Sequence, residues 1–347
     1  MINVFVTGAG GGAIGEQIIK ALRSGKNDYF IVGSDTKANT IARSISDIFV
    51  LMPKAGESGY INTLLTYCNK YGIDILFPGS EPELRTIVKN KRLFDEANIH
   101  VPINDASLIR LCQDKVGFNE FLVNNEFSYC ETFNLIDANS LSRLDNYPYV
   151  IKPVSGSGSS NVFIVQDQIE LEGITRYLGS TQGFIIQKYV GNINEEYTVG
   201  ILSTPNHGYV NHIILKRDLS LGMSIKQKVL NRTEDQSLGN TLGISTGISQ
   251  GKFVSNTLIS KTVAKLVELL KPTSTINMQC RVWNEKVYIF EINPRFSGTT
   301  NLRALVGFNE PELLVNSLLF EEVPLANESC WINRTVLRGL MEYDLGN

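Results

Sequence analysis

Val287-Tyr288-Ile289-Phe290-Glu291-Ile292-Asn293-Pro294-Arg295-Phe296-Ser297-Gly298 reads as a strand running into a turn. Branched and aromatic side chains favour the strand, and Pro294, which offers no ladder donor, ends it. Strand periodicity puts Glu291 and Asn293 on one face, so two oxygen donors project together, and Arg295 continues that direction past the proline. Hard oxygen ligands suit magnesium held jointly by protein and phosphates. Upstream, residues 275–282 predict a second strand, joined to the first through a tight hairpin at Trp283-Asn284-Glu285. Gln279 on that strand can face the same site. An acid and an amide on one strand also suit a plain solvated face, but the Pro-Arg step and the Ser-Gly-Thr-Thr turn that follow favour a metal.

Two glycine-rich loops extend the pattern. Tyr149-Val150-Ile151-Lys152-Pro153-Val154-Ser155-Gly156-Ser157-Gly158-Ser159-Ser160 is a short strand followed by small residues whose backbone N–H groups can approach phosphate oxygens, with Lys152 as a point charge before the loop. It has no GK[ST] and no helix follows, so it is not a Walker A loop; the competing reading is a flexible hairpin with a solvated lysine. The other loop, Gly8-Ala9-Gly10-Gly11-Gly12-Ala13-Ile14-Gly15, contains GxGxxG from Gly10 to Gly15 between a strand and a helix, with Asp35 where a dinucleotide site would place its ribose-binding acid. Glycines at such a turn also serve close helix packing, and many doubly wound sheets bind no cofactor there.

The chain has 347 residues, enough for two or three domains at about 150 residues each. Up to about residue 103, strands at 4–7, 30–34, 47–51 and 73–77 alternate with helices at 13–23 and 60–71, which predicts a parallel sheet covered on both faces. A helix at 114–124 leads to a small subdomain with a strand at 129–134 and a helix at 138–144. Longer strands at 150–152, 162–165, 185–187, 197–202 and 209–217 then predict antiparallel sheet, followed by a helix at 254–270. Lys+Arg 32 against Asp+Glu 35 gives a net charge of -3, which argues against a chain built around nucleic acid or anionic lipid. No uncharged apolar stretch approaches a membrane span, and no basic region precedes the N-terminal apolar run, so a soluble chain without a signal sequence is expected. Five scattered cysteines, Cys68, Cys112, Cys130, Cys280 and Cys330, form no CxxC pattern; reduced thiols in the cytoplasm fit better than zinc or redox sites.

In their order and spacing these residues resemble the ATP-grasp superfamily, and within it one ATP-using half of the carbamoyl phosphate synthase large chain. The resemblance covers nearly the whole chain. It rests on the glycine-rich N-terminal unit, Asp114-Lys115, Ile151-Lys152-Pro153 before a glycine loop, Ile186-Gln187-Lys188-Tyr189-Val190 with Glu196-Tyr197 downstream, Gln279, and Glu291-Ile292-Asn293-Pro294-Arg295. It implies a mixed α/β and α+β architecture. A Rossmann-like pre-ATP-grasp domain at 1–103 would be followed by an ATP-grasp fold of two α+β subdomains, a lid at 104–190 and a metal-bearing part at 191–347. By the same resemblance, Ser155, Gly156, Ser157, Gly158 and Ser159 fold over the phosphates of ATP, and Lys115 and Lys152 neutralise them. Gln187, Lys188, Tyr189 and Val190 form the hinge facing adenine, and Glu196 takes the ribose hydroxyls. Gln279, Glu291 and Asn293 hold Mg2+ or Mn2+, and Arg295 stabilises the transferred phosphoryl group. The implied chemistry is ligation: a carboxylate attacks the γ-phosphate, and an amine or, less expectedly, a thiol displaces phosphate from the acyl phosphate. A closing loop that excludes water would protect that intermediate.

Ser245 stands where the synthase carries a histidine near carboxyphosphate, so an organic carboxylate such as an amino acid or sugar acid is expected in place of bicarbonate. Arg217, after Lys216, could reach phosphate or a substrate carboxylate, although exposed basic pairs are commonly only solubilising. Ser297, Gly298 and Thr299 could hold a carboxylate or form a plain turn. Glu81 and Glu83 follow Pro78-Gly79-Ser80 at the end of a predicted strand, where open sheets bind ligands, but a helix N-terminus favours acids on dipole grounds alone, and neither receives a role. His100, His207 and His212 read as structural or solvated. The rival readings are an NAD(P)-dependent oxidoreductase using Gly10 to Gly15 with Asp35, a bicarbonate-activating enzyme like the synthase, and a nucleotide-binding regulator without chemistry. Small carboxylate and amine substrates are the expected partners, and a homodimer is the default assembly.

Overall fold

The structure, a computed structural model, describes residues 1–12, 14–135, 144–154, 161–220, 222–325 and 328–343. Four strands, β1 (Ile2–Val6), β2 (Tyr29–Asp35), β3 (Ile48–Leu51) and β4 (Ile75–Phe77), form a parallel sheet in the order β3-β2-β1-β4. Alternate residues feed opposite faces: Val4, Val6 and Ile31 enter one core, Phe5, Val32 and Leu76 another. A sheet covered on both faces explains why these strands read as unbroken apolar runs.

The second sheet joins β5 (Thr132–Asn134), β6 (Tyr149–Pro153), β7 (Phe163–Val165) and β8 (Phe184–Lys188) in the antiparallel order β5-β8-β6-β7. The remaining strands are β9 (Glu196–Thr204), β10 (Gly208–Arg217), β11 (Ile225–Leu230), β12 (Thr241–Ser245), β13 (Gly251–Val254), β14 (Ile276–Trp283), β15 (Lys286–Asn293) and β16 (Thr335–Val336). Six of them build an antiparallel sheet, β15-β14-β9-β10-β13-β16, while β11 and β12 pair as a separate hairpin.

Where an element was expected its type matches, and several boundaries move. The helix expected from 254 begins at Thr257, because Val254 pairs with Ile214 in the sheet and Asn256 caps the helix by accepting from the N–H groups of Leu258 and Ile259. The strand expected at 129–134 is confined to Thr132–Asn134. The helix expected at 138–144 falls almost wholly outside the described residues.

The parallel sheet and the large antiparallel sheet share one core. Val4, Val6 and Phe77 pack in the same cluster as Leu202, Leu215, Phe253, Phe296 and Phe308, and the rings of Phe77 and Phe296 meet edge to face at 5.6 Å. Beneath this core the fully buried Arg303 pairs with Glu310 at 3.1 Å. Gly200 on β9 makes room for that guanidinium, since a Cβ there would lie 2.2 Å from Arg303 Nη1. No helix among the described residues is long and apolar enough to cross a membrane.

Candidate active site

A cleft of about 600 Å³ opens where the two antiparallel sheets face each other near the carboxyl end of β4. One wall is the β14–β15 hairpin, whose register sets Gln279 opposite Glu291 and Asn277 opposite Asn293. All four side chains line the cleft, as the period-two reading of the hairpin requires. Asn277 is already engaged, its Oδ1 accepting from Thr198 Oγ1 at 2.9 Å and from Arg303 Nη2 at 2.5 Å. That leaves Gln279, Glu291 and Asn293 as the candidate oxygen donors on this wall. Among the described residues no three His, Cys, Asp or Glu side chains are grouped to hold a metal. One carboxylate with two amides fits a hard cation that completes its shell with phosphate and water, and not a thiol- or imidazole-seeking one.

Lys152 reaches this wall from β6. Its Nζ donates to Gln187 Oε1 at 2.7 Å and to the Phe290 carbonyl at 3.4 Å, while Gln187 Nε2 donates to Thr132 Oγ1 at 2.8 Å and so fixes the amide. Burial pushes the ammonium pKa down to about 8; Glu291 opposes the shift and neighbouring Lys115 adds to it. Lys115 follows the helix cap formed by Asp114, and its Nζ donates to the carbonyls of Pro153 and Val154 at 2.8 and 2.9 Å. It thus grips the chain just before the glycine loop through two of its three donors. Ser155, Gly156, Ser157, Gly158 and Ser159 lie outside the described residues.

Gln187, Lys188, Tyr189 and Val190, expected to form the hinge, all line the cleft. Tyr189 is buried, with its hydroxyl accepting from the Gly243 N–H at 3.0 Å. Glu196, expected to take the ribose hydroxyls, is held between two arginines. Its Oε1 accepts from Arg217 Nη1 at 2.9 Å, and its Oε2 accepts from Arg281 Nη2 and Nε at 2.9 and 3.1 Å. Burial works to raise this carboxyl's pKa, but Arg281 and Arg217 outweigh it and hold it below the usual carboxylate range. The exposed basic pair expected at Lys216-Arg217 divides: Lys216 pairs with Glu195, whereas Arg217 is 5% exposed and also donates to Ser245 Oγ and the Thr246 carbonyl, each at 2.7 Å. Sequence reasoning missed Arg281. Besides Glu196 it bonds the Val190, Gly191 and Gly243 carbonyls, and its guanidinium lies 4.4 Å from the Tyr189 ring centroid. Its alternation with Gln279 on β14 was the available signal.

At the opposite end Arg295 meets Glu81, which begins the helix after β4, at 2.6 Å. Arg295 also donates to the Phe296 carbonyl at 3.0 Å. Ser297 and Thr299 are buried and turned on each other, their hydroxyls 2.6 Å apart, so they shape a turn more than they offer free donors to a carboxylate. Gly298 lets that turn approach residue 247, since a Cβ would sit 2.6 Å from the Gly247 carbonyl. In the N-terminal loop, Asp35 folds back to accept from the Gly10 N–H at 2.9 Å, and a Cβ on Gly15 would stand 2.5 Å from the Thr7 carbonyl. These contacts give Asp35 and Gly15 structural duties. Among the described residues no histidine lines the cleft; His212 is held on β10 by Tyr209 and Ser260.

Comparisons with known proteins agree with this architecture. Residues 6–103 match the family model described as PylC-like, N-terminal domain, and residues 244–333 match that of ATP-grasp in the biosynthetic pathway with Ter operon. No curated protein sequence gives a significant match. Among solved structures, an L-amino acid ligase from Bacillus licheniformis shares 16% identity at TM-score 0.62, covering 92% of this chain and 74% of its own. N5-carboxyaminoimidazole ribonucleotide synthetase from Thermotoga maritima shares 16% at TM-score 0.61, covering 94% and 77%. Biotin carboxylase from Campylobacter jejuni shares 14% at TM-score 0.63, covering 95% and 73%. Identities this low establish fold only: the chain has the fold of these proteins, and its residues 244–333 match an ATP-grasp model.

Proposed function

We propose that this chain is an ATP-dependent ligase that activates an organic carboxylate as an acyl phosphate and joins it to an amine. The observation that carries the reading is the convergence, in one cleft, of Lys152 from the small sheet with Gln279, Glu291, Asn293 and Arg295 from the large one. Cations and oxygen donors gathered from two sheets are what a triphosphate between them requires. The hinge would hold the base, Lys115 and Lys152 the phosphate oxygens, and Gln279, Glu291 and Asn293 a magnesium ion. Magnesium, when bound, would neutralise the terminal phosphates. Arg295 would face the oxygens of the phosphoryl group as it moves to the carboxylate. Glu196 stays outside this list, as a brace that orders Arg217 and Arg281.

A cleft without histidine supports an organic carboxylate over bicarbonate. A screen of amino acids and sugar acids crossed with several amines, read by ADP release from Mg-ATP, tests the proposal. ADP and phosphate should appear only with both partners present; AMP and pyrophosphate would contradict the mechanism. Glu291→Ala should retain the fold, by its unfolding curve, and lose turnover by at least about a hundredfold, the scale set by removing one electrostatic stabiliser of a transition state.

A further inference from the structure

Resting on the ligase reading, we infer that Glu81 is the seat of a primary ammonium group carried by one of the two substrates. Among the described residues the cleft has three acids, Glu81, Glu196 and Glu291. Glu196 is closed off by two guanidinium groups, and Glu291 belongs to the oxygen-donor set opposite Gln279. Glu81 is the remaining carboxylate.

Its placement is fixed by the fold. Glu81 follows β4 in the parallel sheet and Arg295 follows β15 in the antiparallel sheet, and each stands close to a member of the Phe77–Phe296 contact that fastens the sheets together. The two side chains keep 16% and 13% of their surface exposed, and both face the cleft. A carboxylate beside a guanidinium is the electrostatic complement of an ammonium beside an oxyanion. A substrate presenting that pair can exchange partners with Glu81 and Arg295 while Arg295 keeps its bond to the Phe296 carbonyl. An amine is largely protonated in neutral water, so an anionic seat beside the activated carboxyl would collect it; a thiol gains nothing from one.

The ammonium can belong to the carboxylate substrate, as in an α-amino acid, or to the nucleophile. ADP release separates these sources. Common L-amino acids and their 2-hydroxy acid counterparts serve as carboxylates, and hydroxylamine, uncharged at mildly alkaline pH, is compared with ethylamine and ammonium chloride as nucleophile. Wild type and Glu81→Gln are assayed, with Mg-ATP affinity measured separately. If the carboxylate carries the ammonium, Glu81→Gln lowers the kcat/KM preference for amino acid over hydroxy acid about tenfold or more, with hydroxylamine as the common nucleophile. If the nucleophile carries it, the preference for ethylamine or ammonium over hydroxylamine falls by that factor. Glu81→Asp should restore part of the lost preference in either case. Unchanged preferences in both arms, with KM values equal to wild type, overturn the inference and leave the ligase reading standing. A wild-type chain that binds Mg-ATP but releases no ADP with any pair overturns the ligase reading and this inference with it.

Discussion

Glu196 and Glu81 both meet arginine at the wall of the same cleft, and they behave as opposites. Glu196 and Arg217 have side chains 2% exposed, and Arg281 8%; the carboxylate accepts three N–H bonds from the two guanidiniums. Glu81 and Arg295 share one short contact at the cleft surface. A buried charge whose hydrogen bonds are filled by protein cannot exchange them without leaving its partners unpaired in low dielectric, whereas a pair that keeps some of its surface at the cleft can. Burial, more than residue type, thus separates the brace from the docking point.

Removing Glu196 should have the largest effect. Glu196→Gln leaves two buried guanidiniums facing a neutral amide, and breaking a buried pair in this way costs about 3–5 kcal/mol. Urea unfolding should show that loss, or the variant should fail to accumulate as folded protein. A loss under about 1 kcal/mol would mean that the carboxylate is not the anchor of Arg217 and Arg281.

The sequence carried one side of this contrast better than the other. Gln279, Glu291 and Asn293 were legible because strand alternation is a local rule and the hairpin obeys it. Lys152 was legible because it precedes a loop of recognisable composition. The duty of Glu196 was not, since it depends on Arg217 and Arg281, residues 21 and 85 positions away along the chain that are brought together by sheet pairing. Glu81 and Arg295 are 214 positions apart, and no spacing rule connects the end of β4 to the end of β15. The parallel sheet was read almost strand for strand; in the N-terminal loop a Cβ on Gly15 would stand 2.5 Å from the Thr7 carbonyl, whereas Gly11 and Gly12 have open space around them.

Next in size is Lys152, whose environment lies between these extremes: partly buried and aimed at the cleft. Lys152→Met should weaken Mg-ATP binding about 10- to 100-fold, the loss of a charged hydrogen bond worth about 1.5–3 kcal/mol, measurable by calorimetric titration. The pH dependence sharpens the same point. With its pKa lowered to about 8, Lys152 is charged below that pH and neutral above it, so affinity should stay level under pH 8 and fall by up to about tenfold per unit beyond. Lys152→Arg keeps its charge throughout and should flatten the curve. A slope that persists in Lys152→Arg would assign the titration to another group.

The smallest expected effect completes the comparison. Glu81→Gln removes a pair that water already screens on one side, so its stability cost should stay within about 1 kcal/mol, several times less than that of Glu196→Gln. Adding salt should change the wild-type chain's margin over Glu81→Gln, because a partly exposed pair is screened, and should barely touch its margin over Glu196→Gln. Equal costs for the two substitutions in urea would show that Glu81 is a second brace between sheets already joined through Phe77 and Phe296, and the exchange of Glu81 for a substrate ammonium would then lose its physical basis.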